Sequence, residues 1–403
     1  MNRRYILAIS FLLSSCSYID IPKYLDLGDS NLYNQQSNSI DATLAWSVDI
    51  GEARDYRTGI LQPVFRNGIS YTIDSEGHVY AVDLSKGNTL WSYDLDMDVS
   101  SGLGLHQGKI FFGTTNGMFY AFDIDKITVP YSILNSFDFI NFLDSSKIEP
   151  DMKIQLKSEA SSAAVGLDDL VYVKLDDGDS TAIDYIKNEI AWSYKGRNVP
   201  LSMKGSGSIT ILNTNIYVPR DDGNLISLSA SKGKLNWLVS ISPRSGRNEL
   251  ESLRDVEINP IIDNGLLYIG SYQGNLISVD IFNGNIVWSK PMSVMSHMSF
   301  DDQYLYVSDN TGFIYALDKY DGSTKWVNKL PKNIISSQTF VTNELVVSLS
   351  ISGQIIILNK IDGKILTLKK ILGNIEPQSR GLMVDKYLYI VSKDGRLNAI
   401  KIN

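Results

Sequence analysis

Three aspartates at alternate positions, Asp94, Asp96 and Asp98 in DLDMDVS, carry the densest potential for chemistry, because carboxylates at this spacing open the loops that wrap calcium in oxygen. The rest of such a loop is missing. Val99 stands where the loop turns on glycine and Leu105 where it closes with glutamate, so a solvated strand edge with all three carboxylates on one face is the better reading. His78, His106 and His297 lie far apart and share neither metal-ligand nor triad spacing. His297, in VMSHMSF, reads as filling a strand. The stretch GLGLHQG at residues 102–108 has the spacing G-x-G-x-x-x-G and leads into a strand pattern, which makes it a strand and turn rather than a phosphate cradle. No G-x-S-x-G motif occurs. Neither a cofactor nor a metal site is expected, and a formal net charge of −8 without a basic patch argues against nucleic acid as a partner.

The remaining reactive group is the single cysteine, Cys16. Arg3 and Arg4 precede the apolar run ILAISFLL, which is far shorter than the ~20 residues needed to span a bilayer, and LSSC follows. This ending resembles a bacterial lipobox, in which small residues admit the signal peptidase to a cysteine that then carries lipid. Residues 1–15 are therefore expected to be a lipoprotein signal peptide, with Cys16 the acylated residue. Ser17 stands where inner-membrane lipoproteins carry aspartate, which favours sorting to the outer membrane. Residues 16–41, rich in Asn, Ser, Asp and Gln without sustained periodicity, read as a lipidated flexible tether spanning roughly 25–30 Å as a coil.

A repeated phrase must position whatever else the chain does: an alternating strand, a glycine turn, a second strand ending in Asp, another glycine turn and a Trp. Residues 266–288, LLYIGSYQGNLISVDIFNGNIVW, give it most clearly. Its central glycines are Gly77, Gly117, Gly178, Gly223, Gly274, Gly312, Gly353 and Gly395, 40, 61, 45, 51, 38, 41 and 42 residues apart. That period predicts four-stranded antiparallel blades. In the clearest copy residues 258–262 are the expected first strand. The last copy stops at Asn403 after its third strand, while residues 44–50 around Trp46 supply an unattached strand, so the ring is expected to close on itself. The predicted fold is all-β: one eight-bladed propeller over residues 42–403. The tryptophans read as packing between blades, with sugar or cofactor stacking as the alternative. The 61-residue spacing holds an insertion at 126–158 with Tyr131, Phe137, Phe139 and Phe142, read as an extra hairpin whose aromatics cover a blade edge or add a partner surface.

The repeat resembles that of pyrroloquinoline-quinone enzymes, and eight copies behind a lipobox resemble the BamB family, lipoproteins of the outer-membrane β-barrel assembly machinery. The quinone enzymes carry a vicinal disulfide, which a chain with one cysteine cannot form. The resemblance implies a non-enzymatic scaffold, lipid-anchored at the outer membrane and facing the periplasm, that binds the POTRA domains of BamA, with unfolded barrel clients as further partners. It places partner contacts at Leu201, Met203 and Lys204, and at Asp255 and Glu257. Lys204 stands where the family has arginine, losing a planar two-pronged donor, and Met203 keeps an apolar anchor. Packing of Leu201 and Met203 onto a blade, and a solvated acidic edge at Asp255 and Glu257, are the alternatives. A periplasmic propeller lipoprotein binding some other peptide or glycan is the competing function, with a quinone-dependent dehydrogenase behind it.

Overall fold

Turn chemistry sets the repeating unit. Asn264 and Gly265 both take positive φ, 47° and 81°, the mirror-image turn whose twist suits antiparallel strands, and they join strand Ile261–Asp263 to Leu266–Gly270. Strands Asn275–Asp280 and Ile286–Pro291 complete a four-stranded antiparallel sheet. The computed structural model describes residues 40–51, 62–127, 148–196, 207–241, 256, 258–376 and 379–403, and among these the unit occurs eight times as an eight-bladed β-propeller. We number the blades in chain order from the sheet that begins at Val64. The described first strand of blade 5 starts at Ile261 rather than residue 258. First strands hold as few as two residues, as at Ser299–Phe300, and so carry little alternation to mark their ends.

Blade 8 is built from both ends of the chain. Strand Ala42–Asp49 pairs antiparallel with Arg396–Ile402 and becomes the fourth strand of the sheet that holds Gly381–Val384 and Tyr387–Ser392. The ring closes there. Second and third strands are buried and the fourth is exposed on alternate residues, so the core lies in the seams between blades.

One row of side chains recurs across the blades. Tyr268, Ser278 and Trp288 pair in register across three strands of blade 5, and the same row reads Tyr306, Ala316 and Trp326 in blade 6. A small residue opposite the indole lets the two rings meet over it, 6.1 and 6.0 Å between centroids. A one-residue bulge just before each tryptophan aims the ring at the neighbouring blade. There it lies against a glycine turn. A Cβ on Gly322 would come within 2.7 Å of Trp288, and Gly322 also has φ of +72°, so both sterics and backbone require glycine. Trp288 Nε1 donates to Lys319 O at 2.8 Å, and Trp192, Trp237 and Trp326 make the same bond to Ala230, Ile281 and Lys360. Trp46 meets Gly87 across the closing seam. In blade 7, where Thr367 replaces the tryptophan, Ile357 fills the opposite position.

Blade 2 departs from the plan. Its third strand, Met118–Asp123, runs into the short helix Ile124–Ile127 instead of a glycine turn, and its fourth strand is Met152–Gln155. The stretch 126–158 is therefore not simply an added hairpin, since it contains the blade's own outer strand; Tyr131, Phe137, Phe139 and Phe142 lie outside the described residues. Met152, buried against Phe111 and Tyr185, takes the tryptophan position. The seam to blade 3 is held by His106 Nε2 to Asp168 O at 2.8 Å and by Tyr185 Oη donating to Gln107 Oε1 at 2.7 Å. GLGLHQG is the strand and turn expected of it, Gly104–His106 followed by Gln107 and Gly108 at positive φ.

Ion pairs reinforce the seams of blades 5 to 7. The wholly buried Lys319 reaches Asp263 at 2.6 Å, and Lys360 reaches Asp301 at 2.8 Å. Burial pushes the Asp301 carboxyl upward, but hydrogen bonds from Lys360, the backbone of Tyr304 and Gln303, and the Tyr306 hydroxyl outweigh it and bring the pKa to about 2.

Two predictions follow from these seams. Trp288→Ala should cost about 3–5 kcal/mol in urea unfolding, the range for a large buried aromatic. Trp91→Ala should cost distinctly less, because the half-buried Trp91 faces the helix of blade 2 and no glycine turn; equal losses would contradict the seam account. For Asp301, a folded-state pKa below the ordinary 3.8 means that its contribution is complete above 3.8 and is lost as pH falls toward about 2. Asp301→Asn should flatten the stability profile in that acid window, measured by urea unfolding against pH, and an unchanged slope would contradict the assignment.

Candidate functional site

Antiparallel blades sort their connections onto two faces. Turns from first to second and from third to fourth strand emerge on one face; turns from second to third strand and the connections to the next blade emerge on the other. The two stretches singled out in the sequence, 198–207 and 245–260, fall in the connections from blade 3 to blade 4 and from blade 4 to blade 5, which include residues 197–206 and 242–257. The strands that they connect end and begin on the second face, which we call the connection face. Leu201, Met203, Lys204, Asp255 and Glu257 lie outside the described residues, as does Cys16. What is described is how the loops are held. Val256 is fully buried in the core cluster that runs through blades 4, 5 and 6.

The stems of both loops meet at the ring axis. Ser208 follows the first loop and Asn259 the second, and Ser208 N donates to Asn259 Oδ1 at 2.7 Å. Arg380, which immediately precedes the first strand of blade 8, reaches across the ring: its Nη2 donates to Ser208 Oγ at 2.8 Å and to Asn259 Oδ1 at 2.7 Å. Burial lowers the guanidinium pKa to about 10, which leaves it charged at neutral pH. His297 lies just before the first strand of blade 6 rather than within it. Burial first and the charge of Arg380 second bring its pKa to about 3, so the imidazole is neutral. A single arginine thus ties blade 8 to blades 4 and 5. Sequence reasoning missed it because the partners lie 172 and 121 residues away and no local motif announces such a contact.

The other residues weighed for chemistry are scattered. Asp94 ends strand Thr89–Asp94, and Asp96 has left the strand with φ of 55°, so the three aspartates share no strand face, although all are exposed. Asp94 lies 3.5 Å from His78 Nε2, while His78 Nδ1 meets Asp74 at 3.1 Å. Among the described residues no group of three or more His, Cys, Asp or Glu side chains is arranged to hold a metal ion.

If the axial contact holds the loop stems, Arg380→Met should cost about 2–3 kcal/mol, the order of charge-assisted hydrogen bonds whose acceptors are left unpaired. Denaturant unfolding of Arg380→Met and Asn259→Ala, alone and combined, checks it. The double variant should lose much less than the sum, and strict additivity would contradict the contact.

The sequence model of the family described as outer membrane protein assembly factor BamB matches residues 38–133 and 143–328. An outer membrane protein assembly factor BamB of Nitrosomonas eutropha is 24% identical over 321 residues, covering 75% of this chain and 71% of its own. BamB from Moraxella catarrhalis, a crystal structure, superposes with a TM-score of 0.74 at 18% identity, over 90% of this chain and 100% of its own. A quinohemoprotein alcohol dehydrogenase from Pseudomonas putida HK5 superposes with a TM-score of 0.64 at 13% identity, over 90% of this chain and 76% of its own. At such identities the two structural likenesses speak for the fold alone. The family match extends over well more than half of the residues, and the chain belongs to the outer membrane protein assembly factor BamB family.

Proposed function

We propose that this protein is a non-enzymatic subunit of the outer-membrane β-barrel assembly machinery, a scaffold whose connection face docks the POTRA domains of BamA and so aids folding and insertion of barrel proteins. Family membership carries the reading. The geometry supports it in one respect: the loops 197–206 and 242–257 leave neighbouring seams on one face, and Ser208, Asn259 and Arg380 hold their stems together. Stems fixed on the ring reduce the ordering cost of binding.

In this reading Leu201 and Met203 are apolar anchors, Lys204 lies beside them, and Asp255 and Glu257 meet basic groups of the partner. Buried anchors at the centre of an interface each contribute ~2 kcal/mol or more, while rim charges chiefly steer and specify. Cys16 carries the acyl anchor that keeps the propeller at the periplasmic side of the outer membrane. The propeller shared with quinone dehydrogenases does not bring their chemistry, since these 403 residues hold one cysteine and cannot form a vicinal disulfide.

Capture of BamA's periplasmic domains by the purified protein tests the assignment. Leu201→Glu should abolish capture with thermal unfolding nearly unchanged, and Asp255→Arg should weaken it less as salt rises. Intact capture by Leu201→Glu means that the site is elsewhere; an unfolded variant means that Leu201 packs the blade. For the anchor, incorporation of labelled palmitate should vanish in Cys16→Ser, and persistent labelling overturns it.

A further inference from the structure

The face opposite the connection face carries a series of apolar tips. Phe282, Tyr320 and Ile361 occupy the same position in the third turn of blades 5, 6 and 7, and are 83%, 51% and 78% exposed. Val384, the last residue of the first strand of blade 8 and next to its first turn, extends the arc. The position is not apolar everywhere, since blades 1 and 4 have Ser85 and Ser231 there, although blade 3 has the exposed Ile186. Backbone N–H groups at the three tips are satisfied from within: Asp280 Oδ1, Asp318 Oδ1 and Asn359 Oδ1 each accept from the tip residue at 2.8 Å. Each tip thus offers hydrocarbon or an aromatic ring without an unpaired amide, as a lipid-facing element requires.

The chain enters the ring on this same face, beside the arc. Ala42 pairs with Ile402 at the end of blade 8's third strand, Asn403 N donates to Asp41 O at 2.9 Å, Thr367 of blade 7 donates to Ile40 O, and Lys369 meets Asp41 at 2.9 Å. Only 23 residues separate Cys16 from Ile40, at most about 80 Å when fully extended. An acyl anchor on Cys16 thus connects to the ring through the face that carries the tips.

We propose that the face of blades 5 to 8 rests on the bilayer, with Phe282, Tyr320 and Ile361 entering the headgroup boundary of zwitterionic lipid. The inference rests on the reading of Cys16 as the acylated residue. Aromatic and aliphatic side chains at the tips of a rigid element suit that boundary. Asp280, Asp318 and Asp321 stand beside the tips, and Asp362 is paired with Lys364 at 3.0 Å, which makes zwitterionic rather than anionic lipid the match.

The test uses the full lipidated chain in phosphatidylethanolamine and phosphatidylcholine vesicles. With Cys16 acylated, an introduced cysteine is the one free thiol and takes a fluorophore uniquely. Labels at Phe282→Cys, Tyr320→Cys and Ile361→Cys should be quenched by brominated acyl chains about threefold more than labels at Ser231→Cys on the same face or Thr115→Cys on the other. Far-ultraviolet circular dichroism verifies that each variant is folded. Vesicle-bound protein with equal quenching at all five positions overturns the proposal and leaves the anchor standing. Failure of the acylated protein to sediment with vesicles overturns the anchor reading instead. Shielding of the tips only after BamA is added assigns the arc to a protein partner and likewise overturns the proposal.

Discussion

The architecture depends on fitting an indole from one blade beneath a glycine turn of the next. Trp288 between blades 5 and 6 shows the terms: Ser278 opposite the ring is small enough to let Tyr268 reach it, a bulge directs it outward, Gly322 has no Cβ to obstruct it, and Lys319 O accepts its N–H. Among the described residues the contact recurs at the seams from blade 3 to blade 7, where Trp192, Trp237, Trp288 and Trp326 meet Gly233, Gly284, Gly322 and Gly363. The closing seam instead joins the two ends of the chain, where Trp46 lies against Gly87 and Ala42–Asp49 completes blade 8. The ring fixes the strand ends from which the blade connections leave.

Much of this was legible because its determinants are local and periodic. Alternation of period two marked the strands, glycine marked turns that require positive φ, and a tryptophan recurring with the period marked the outer strand. The missing fourth strand of the last repeat and the unattached Trp46 strand identified each other. What escaped had no local signature. Arg380 bonds Ser208 and Asn259 across the ring, and nothing around Ser379 or Gly381 signals it. Asp94, Asp96 and Asp98 alternate as on a strand, yet Asp96 adopts a left-handed conformation as the chain turns. Blade 2 misled because its outer strand, Met152–Gln155, has no tryptophan and follows a helix and a long interval. The partner-binding residues came from family resemblance alone, since apolar and charged loop residues look the same whether they dock a partner, pack a blade or face water.

The proposed function assigns the two faces of the ring separate tasks. One face receives the chain at Ile40 and carries the apolar tips of blades 5 to 8; the other carries the connections between blades 3, 4 and 5 with their stems gathered on Arg380. Antiparallel pairing enforces the separation, because a chain that enters as the fourth strand of blade 8 must begin on the face opposite the blade-to-blade connections. Asp74, His78 and Asp94 meet one another, with Asp74 and Asp94 on opposite nitrogens of the His78 ring.

A structure of the full-length protein bound to the periplasmic domains of BamA, determined by electron cryo-microscopy, tests the central claim most directly. The account predicts partner density on the connection face, over the loops 197–206 and 242–257, with Arg380 still bonded to Ser208 and Asn259 beneath them. Partner density confined to the tips at Phe282, Tyr320 and Ile361, or to the outer strand edges, would contradict it.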